Sequence, residues 1–349
     1  MSITIKRRTI LALGLGLALS PTIAATAFAQ TSDVLELTLA TADSSINPTT
    51  DSVLRLAGTL GFYEKHGVKV NIIALEGTPQ AVAALNSGAV DLADIGIDAA
   101  MRLRAENGLP IRGIVSGTMG APYLIAVKSD ITSVEDLVGK SFAIADNGSL
   151  DHSLTQLVLA SMGVPADGPQ YVAIGAPAAR VQALAAGRVD ATTVSYGTFL
   201  PIAGTPGISI LVSPETFSEA SPGMSKFVAA LDSTIADKHE ALQRFVDALI
   251  DASRSLEADP AQWVASMAVE REDLTPANLQ LTADFLAGRW CVNGCMSPEA
   301  LSKTAEFIYS NPDFAEVKKI SIEDVVSPDF TAKAIENLGA FEGTTLDKR

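Results

Sequence analysis

One short stretch of the chain holds the residue types of a hydrolytic triad. Ser149, Asp151 and His152 lie together in residues 147–153 (NGSLDHS). In serine hydrolases the nucleophile, base and acid come from distant segments and meet only in the fold. The Gly-x-Ser-x-Gly turn that exposes a nucleophile is also missing from the sequence. We therefore expect no enzyme activity and interpret this stretch as a binding turn.

Two cysteines form a second group with its own chemistry. Cys291 and Cys295 are the only cysteines of the chain. A metal site would need further ligands, and the three histidines, His66, His152 and His239, are distant in sequence. In an exported protein, an even pair this close favours a local disulfide that pins a turn. We expect no metal and no other cofactor.

Three turns between a predicted strand and a predicted helix carry the polar groups of a binding site. Residues 76–79 (EGTP) would begin a helix with Thr78 as its N-cap. Residues 147–149 (NGS), with Ser149 as cap, and residues 175–177 (GAP) repeat that arrangement. Free N–H groups at helix starts bind anionic or carbonyl oxygens. One such turn is an ordinary cap, whereas three that meet in one cleft predict a ligand site.

An α/β fold is needed to bring these turns together. Short apolar strands alternate with helical segments, which is typical of mainly parallel sheets. We predict strands at 35–40, 68–75, 92–97, 123–127, 141–145, 171–174 and 191–195. Helices are predicted at 53–65, 79–87, 150–162, 178–186 and 238–258, and the pattern after Gly223 is helical.

An internal repeat divides the chain into two similar lobes. Residues 82–91 (VAALNSGAVD) match residues 181–190 (VQALAAGRVD) at a constant offset of 99. Each copy is a helix that ends at a glycine and turns into an apolar strand. We predict a first lobe of residues 34–122 and 224–349, a second of 123–223, and hinge crossings at 120–122 and 222–223. Trp263 and Trp290 should seal the C-terminal helices against the first lobe.

The N-terminus predicts export to the periplasm. Lys6, Arg7 and Arg8 precede an apolar run at 10–19, and residues 27–29 (AFA) give a cleavage pattern after Ala29. The apolar run is shorter than the roughly 20 residues of a membrane span. We expect residues 1–29 to be a signal peptide, exported by either the general or the twin-arginine route.

The mature chain would be strongly acidic. Removing residues 1–29 leaves 22 Lys and Arg against 40 Asp and Glu. That field excludes nucleic acid and anionic membrane surfaces as partners and suits a soluble monomer.

Taken in order, these segments resemble the periplasmic substrate-binding proteins of ABC importers that bind nitrate, sulfonates, taurine and thiamine-pyrimidine precursors. The matching stretches, within roughly 34–215, are 61–70 (GFYEKHGVKV), 84–93 (ALNSGAVDLA), 133–140 (SVEDLVGK) and the second repeat copy. The resemblance implies a type II periplasmic binding fold: two similar lobes with mainly parallel mixed sheets, a ligand cleft between them and a helical C-terminal extension. It also implies an inner-membrane ABC permease as partner, a small-molecule ligand and no chemistry.

By position, the resemblance implies a cleft lined from both lobes. The first lobe would supply Ser44, Ser45, Asn47, Gly77, Thr78, Asp94 and Asp98, and the second Tyr123, Asn147, Ser149, His152, Ser195 and Tyr196.

Acids near these turns bear on the ligand. Asp94, Asp98, Asp146 and Asp151 lie close to the predicted site, and His152 is the one cation expected there. This charge pattern departs from what a bare anion such as nitrate requires. We expect a small organic ligand with an acceptor end and a donor end, such as an aminosulfonate or an amino-pyrimidine.

Two other functions stay open at this level. The family includes eukaryotic pyrimidine synthases, but these enzymes use a cysteine-rich iron motif that this chain lacks. A binding protein that reports to a sensor kinase would have the same sequence features as one that feeds an importer.

The exported protein should begin at Gln30 and hold Cys291 and Cys295 as a disulfide, because of the cleavage pattern and the close cysteine pair. Intact mass spectrometry should give the mass of residues 30–349 less two hydrogens. Retention of residues 1–29, or thiols that react with iodoacetamide before reduction, would contradict the prediction.

Overall fold

The computed structural model describes residues 34–349 except Ser44, Thr118, 312–313, 343–346 and 348–349. The predicted signal peptide and the predicted site residue Ser44 lie outside the described residues. Among the described residues, strands β1 to β10 are, in chain order, Leu35–Thr41, Val68–Ala74, Leu92–Gly96, Ile111–Val115, Tyr123–Lys128, Ser141–Ile144, Gln170–Ala173, Ala191–Ser195, Ile208–Val212 and Lys226–Leu231.

Helices surround these strands. In the described part of the chain, helices α1 to α14 are Ser52–Thr59, Phe62–Lys65, Thr78–Asn86, Ile97–Asn107, Leu150–Ser161, Pro177–Ala185, Tyr196–Phe199, Pro214–Ala220, Asp232–Asp237, His239–Ala258, Pro260–Glu270, Pro276–Leu286, Pro298–Tyr309 and Asp329–Leu338. Short 3-10 helices lie at Glu135–Leu137, Leu200–Ile202 and Ile322–Val325.

The strands form two five-stranded mixed sheets. The first has the order β2-β1-β3-β10-β4 and the second β7-β6-β8-β5-β9. In each sheet, the second strand in this order is parallel to the strands on both sides of it. The fourth strand is antiparallel to both of its neighbours. The predicted α/β class with mixed sheets and extra C-terminal helices is therefore confirmed. The proposed lobe limits and crossings stay predictions.

The sequence repeat corresponds to equivalent structure. Asp91 and Asp190 are the last residues of the two copies. Each carboxylate accepts an N–H from the second strand of its sheet: from Thr38 N in β1 at 2.9 Å and from Ser141 N in β6 at 3.0 Å. Gly88 and Gly187 end the helices with φ of 72° and 71°. These left-handed positions carry no Cβ penalty for glycine, as the helix-end prediction required.

Apolar helix faces cover both sides of each sheet. One core cluster packs α1, α10, α11, α12 and α14 on the first sheet, and another packs α3, α4 and α13 on its opposite face. Trp263 and Trp290 belong to the first cluster, and the indole N–H of Trp263 donates to Ser52 Oγ at 3.1 Å. Both tryptophans therefore join the C-terminal helices to the first sheet, as predicted.

The sequence prediction omits α4, β4, α7, β9 and α8, and it differs from the structure at two further places. The helix expected at 53–65 is interrupted, because Gly61 adopts a left-handed conformation (φ 79°) and separates α1 from α2. The segment after Gly223 is not wholly helical, since Lys226–Leu231 forms β10 between β3 and β4. The apolar run 227–231 (FVAAL) is a signal for this strand that periodicity alone did not separate from the following helices.

The predicted disulfide joins Cys291 and Cys295 in the structure. Both cysteines are buried, beside Met296 and the core face that carries α13. Among the described residues, every helix is too short or too polar to span a membrane.

Packing of α10 on the first sheet should dominate the stability of that half. Phe245 is fully buried and stacks on Tyr63 with ring centroids 5.6 Å apart. Phe245→Ala should lower the free energy of unfolding by about 3–5 kcal/mol. Val269→Ala, at a side chain that is 75% exposed, should change it by less than about 0.5 kcal/mol. Urea denaturation compares the two, and equal midpoints would contradict this account.

Candidate functional site

A cavity lies where the two sheets face each other at matching strand ends. The space open to the centre of a water molecule is about 40 Å³. At roughly 10–15 Å³ per water, this is room for about three waters. Elements of the first sheet contribute Ala42, Asp43, Asn47, Glu76, Gly77, Thr78 and Lys226, and elements of the second contribute Tyr123, Ala145, Ser149, Leu150, Asp151, Gly175, Ala176, Pro177, Arg180 and Ser195.

Parallel strands place three helix starts at this cavity. β2, β6 and β7 end just before the segments that lead into α3, α5 and α6, and the first residues of these helices line the space. Gly77 and Gly175 have φ of 96° and 92°, which lets the chain turn sharply from strand to helix. The positive ends of three helix dipoles therefore point toward one small volume.

The predicted capping roles of two turn residues need correction. Gly77, not Thr78, is the N-cap of α3, and Thr78 Oγ1 accepts the N–H of Gly96 at 3.3 Å. Ser149 does occupy the N-cap position of α5, but its hydroxyl donates to Asp146 O at 2.6 Å and contacts Asp151 Oδ1 at 2.8 Å. Neither side chain therefore accepts a backbone N–H at the start of its own helix.

Lys226 is the buried cation of the first sheet. It is 5% exposed, and its Nζ lies 3.1 Å from Asp94 Oδ2 and 3.6 Å from Asp43 Oδ2. Burial alone would lower the pKa of Lys226, but the two carboxylates outweigh burial and hold that pKa well above its ordinary value. Lys226 therefore stays charged, and one cation is shared by two acids.

Tyr123 takes the corresponding position in the second sheet. Lys226 begins β10 opposite Gly96, and Tyr123 begins β5 opposite Ser195, each on the antiparallel strand of its sheet. Burial raises the pKa of Tyr123. Its hydroxyl therefore stays protonated and available as a hydrogen-bond donor at the cavity.

Arg180 is the buried cation of the second sheet. It lies in α6 and is 2% exposed. Its Nη1 donates to Gly175 O at 2.6 Å, and its Nη2 donates to Thr193 O at 3.3 Å. The same Nη2 lies 3.7 Å from Asp151 Oδ2. The guanidinium is thus fixed between a cavity turn, a strand end and an acid.

Polar side chains join the two sheets beside the cavity. Asn47, which follows β1, accepts a hydrogen bond from Ser195 Oγ at 3.0 Å and donates from Nδ2 to Thr198 Oγ1 at 3.3 Å. The backbone N–H of Asn47 in turn donates to Asp51, which pairs with Arg55 Nε at 3.2 Å. A hydrogen-bonded chain beside the cavity therefore links segments of the two sheets.

The structure brings together only part of the predicted site. Six predicted residues line the cavity: Asn47, Gly77, Thr78, Tyr123, Ser149 and Ser195. Asp94 reaches it through Lys226. Ser45 lies in an adjoining groove with Asn47, and Tyr196 packs on Phe285 with ring centroids 5.1 Å apart.

A separate cleft holds the remaining predicted residues. Asp98, Asn147 and His152 line a space of about 670 Å³ between α4 and α5, which Thr78 also borders. The imidazole Nδ1 of His152 accepts the N–H of Gly148 at 3.2 Å. Burial raises the pKa of Asp98. These residues therefore lie beside the central cavity and do not line it.

The expectation that His152 is the one cation near the site is wrong. Lys226 and Arg180 both line the cavity, and the sequence analysis missed them together with the cavity-lining role of Asp43 and Asp151. Lys226 was missed because β10 was taken for a helical segment. Arg180 was missed because it lies inside the predicted helix 178–186, one residue before the second repeat copy, and not in a turn between a strand and a helix. Among the described residues, acids, histidines and cysteines form no cluster that could hold a metal ion.

Comparison with known sequences gives one family match and several relatives that are named as binding proteins. The sequence model described as NMT1/THI5 like matches residues 52–263, more than half of the chain. A protein of Brucella abortus (strain 2308), named only as a binding protein, is 28% identical over 218 residues. That match covers 61% of this chain and 65% of the relative, so it spans less than two thirds of the relative's length.

Solved structures share the fold at low sequence identity. The alkanesulfonate-binding protein SsuA of Xanthomonas axonopodis pv. citri, bound to MOPS, is 22% identical with a TM-score of 0.67, over 84% of this chain and 98% of that one. The nitrate-binding protein NrtA of Synechocystis PCC 6803 is 13% identical with a TM-score of 0.67, over 90% and 92%. The desulfurization enzyme DSZB is 16% identical with a TM-score of 0.59, over 87% and 99%. The predicted periplasmic binding protein fold is therefore confirmed.

The acid next to Asn47 should give the protein a distinct pH dependence. Burial and the neighbouring Asp43 carboxylate raise the pKa of Asp51 from 3.8 to about 7. A carboxyl with a raised folded-state pKa stabilises the fold fully below pH about 4, and that contribution is lost as the pH rises to about 7. Asp51→Asn removes this titration, so over that range the variant should gain stability relative to wild type, on the order of 4 kcal/mol.

Urea unfolding of both proteins at several pH values measures this difference. Asp284→Asn, at an exposed helix position, serves as the matched control and should run parallel to wild type. An Asp51→Asn curve that also runs parallel to wild type would contradict the assignment.

Proposed function

Because the chain belongs to the NMT1/THI5-like family, we propose that it is the solute-binding component of an ABC importer. It captures a small polar organic ligand in the cavity between its two sheets and delivers the ligand to a permease. The observation that carries the proposal is the cavity itself, where buried charges from both sheets meet three helix starts.

Buried charge at this position favours binding over a purely structural role. Lys226, Asp94, Arg180 and Asp151 are each less than a tenth exposed. An ion pair in the interior loses hydration that its attraction only partly offsets, so such pairs are a poor means of stabilising a fold. Fixed charges and dipoles around a small space instead provide a preformed set of partners for a polar ligand.

The cavity favours a ligand with two kinds of polar end. Three helix starts, Tyr123 and Arg180 offer donors, while Asp43 and Asp151 offer acceptors. The small volume favours a compact molecule. A sulfonate of the taurine type or a pyrimidine with an amino group has both kinds of polar end, in line with the expectation from the sequence. Each is larger than about three water molecules, so the two lobes must lie further apart than here to hold it.

Hinge closure accounts for access to so enclosed a space. The bonds from Asn47 to Ser195 and Thr198 link segments of different sheets and would break when the two lobes separate. A ligand that contacts both lobes stabilises the closed state relative to the open one. We infer that ligand entry and release occur through an open form and that the described conformation is close to the closed form.

The remaining parts of the proposal follow from export. The protein would act in the periplasm as a monomer, with a permease of the inner membrane as its partner. A sensor kinase is the alternative partner, because a closed, ligand-bound form could serve either.

An enzyme on this fold is the alternative in another class, since DSZB shares the architecture. The local geometry favours binding. Ser149 Oγ is bonded to Asp146 and Asp151, while His152 Nδ1 accepts from Gly148 N. The serine and the nearby imidazole nitrogen are therefore engaged with other groups, and a nucleophile needs a base within hydrogen-bond reach.

Ligand recovered from the purified protein should identify the solute and drive compaction. Protein purified natively is extracted for mass spectrometry, and the recovered compound is returned to refolded, ligand-free protein. At 100 times its Kd, the ligand should stabilise the fold by about 2.7 kcal/mol, which raises the melting temperature by roughly 4 °C.

Small-angle scattering should show a smaller radius of gyration with the same ligand. A recovered compound that the protein chemically converts would support the enzyme instead. Absence of compaction at saturation would contradict the hinge.

A further inference from the structure

One guanidinium nitrogen of Arg180, Nε, has no hydrogen-bond partner among the described residues. The guanidinium has five N–H groups, and Nη1 and Nη2 are engaged by Gly175, Thr193 and Asp151. The Nε atom itself is buried. Since a buried donor is nearly always paired in a folded protein, this nitrogen is a candidate to bind a ligand or a water.

The position of Arg180 indicates what that partner is. The side chain is 2% exposed and lines the central cavity next to the first residues of α6. A guanidinium nitrogen beside a helix start favours an anionic oxygen, because a charged donor and the helix dipole act on it together.

On the other side of the cavity, two carboxylates share a single lysine. The Nζ atom of Lys226 lies 3.1 Å from Asp94 Oδ2 and 3.6 Å from Asp43 Oδ2, so Lys226 neutralises Asp94 more than Asp43. Asp43 lines the cavity, whereas Asp94 does not. The less neutralised of the two carboxylates is therefore the one that faces the ligand, and it favours a cationic or N–H donor group.

Resting on the proposed binding function, we propose that the ligand is a compact zwitterion whose anionic oxygen group binds Nε of Arg180 and whose ammonium group faces Asp43. An aminosulfonate or a short amino acid has this chemistry. A bare anion leaves Asp43 with only the Lys226 ammonium that it shares with Asp94, and an amino-pyrimidine without an anionic group leaves Nε without an anionic partner.

Wild-type protein and small probes test the two ends separately. Refolded, ligand-free protein is titrated by calorimetry with taurine, β-alanine, 2-aminoethanol and 2-hydroxyethanesulfonate. Taurine and β-alanine carry both charges and distinguish a sulfonate from a carboxylate. The other two each lack one charged end. At least one zwitterion should bind about tenfold or more tightly than both single-charge probes.

Three results of this titration overturn the proposal. If 2-aminoethanol binds as tightly as the better zwitterion, Arg180 does not bind the anionic group. If 2-hydroxyethanesulfonate binds as tightly as the better zwitterion, Asp43 does not bind the ammonium group. Failure of both zwitterions to bind at millimolar concentration removes the ligand class.

Arg180→Lys tests the guanidinium group, because lysine keeps the charge but lacks Nε and the two Nη atoms that donate to Gly175 and Thr193. Its Kd for the zwitterion that binds wild type should rise about tenfold or more, while the matched control Arg188→Lys, at an exposed position, should bind as wild type does. The melting curve of the unliganded variant establishes that it is folded. Unchanged affinity in folded Arg180→Lys overturns the assignment, and the wild-type titration decides the case if the variant does not fold.

Failure of this proposal is distinguishable from failure of the proposed function. A recovered solute without an anionic group that compacts the protein would refute the zwitterion and leave the binding function intact. Loss of the binding function would instead show as absence of any compacting solute.

Discussion

Insertion of β10 between β3 and β4 is the constraint on which the rest of the structure depends. The chain leaves the first sheet after Val115, builds the second sheet and returns at Lys226. The antiparallel register sets Lys226 opposite Gly96, at the edge where β1 and β3 end. A lysine can be buried there only because Asp94 and Asp43 meet its charge. The same strand pairing therefore completes the first sheet, returns the chain across the cleft and supplies the cavity with a fixed cation.

The two sheets have the same topology but contribute different polar groups to the cavity. Asp91 and Asp190 occupy matching positions and make matching backbone contacts, so the repeat is structural in both halves. The cavity groups differ, because the antiparallel strand begins with Lys226 in one sheet and with Tyr123 in the other. Arg180 then supplies the cation of the second half from a helix. A ligand that touches both halves thus meets two unlike surfaces, which favours a molecule with two unlike ends.

A fold shared by sulfonate-binding, nitrate-binding and desulfurization proteins does not by itself assign a function. The distinction rests on side chains at one strand edge. Here the Ser149 hydroxyl donates to Asp146 O and His152 Nδ1 accepts the N–H of Gly148, whereas Arg180, which lines the cavity, has a buried donor without a partner among the described residues. Binding is the function that these contacts serve best.

The sequence by itself determined seven of the ten described strands, the helices α3, α5, α6 and α10, the repeat, the disulfide pair and the turns at Gly77, Ser149 and Gly175. Each is a local pattern: hydrophobic periodicity, a glycine at a helix end, or cysteines four residues apart. Six cavity residues were predicted by position from the family resemblance, and three of them, Gly77, Thr78 and Ser149, also from turns that lead from a strand into a helix.

Only the tertiary structure decided which charges face the ligand. Lys226 pairs with Asp94 and Asp43, which lie more than a hundred residues away, and that pairing depends on the register of β10. Arg180 is buried, although its position in a helix resembles that of any surface arginine. Conversely, Asp98 and His152 lie near the turns in sequence but line another cleft, because α4 and α5 carry them past the strand edge. Side-chain direction and long-range pairing are properties of the packed chain, and no local pattern encodes them.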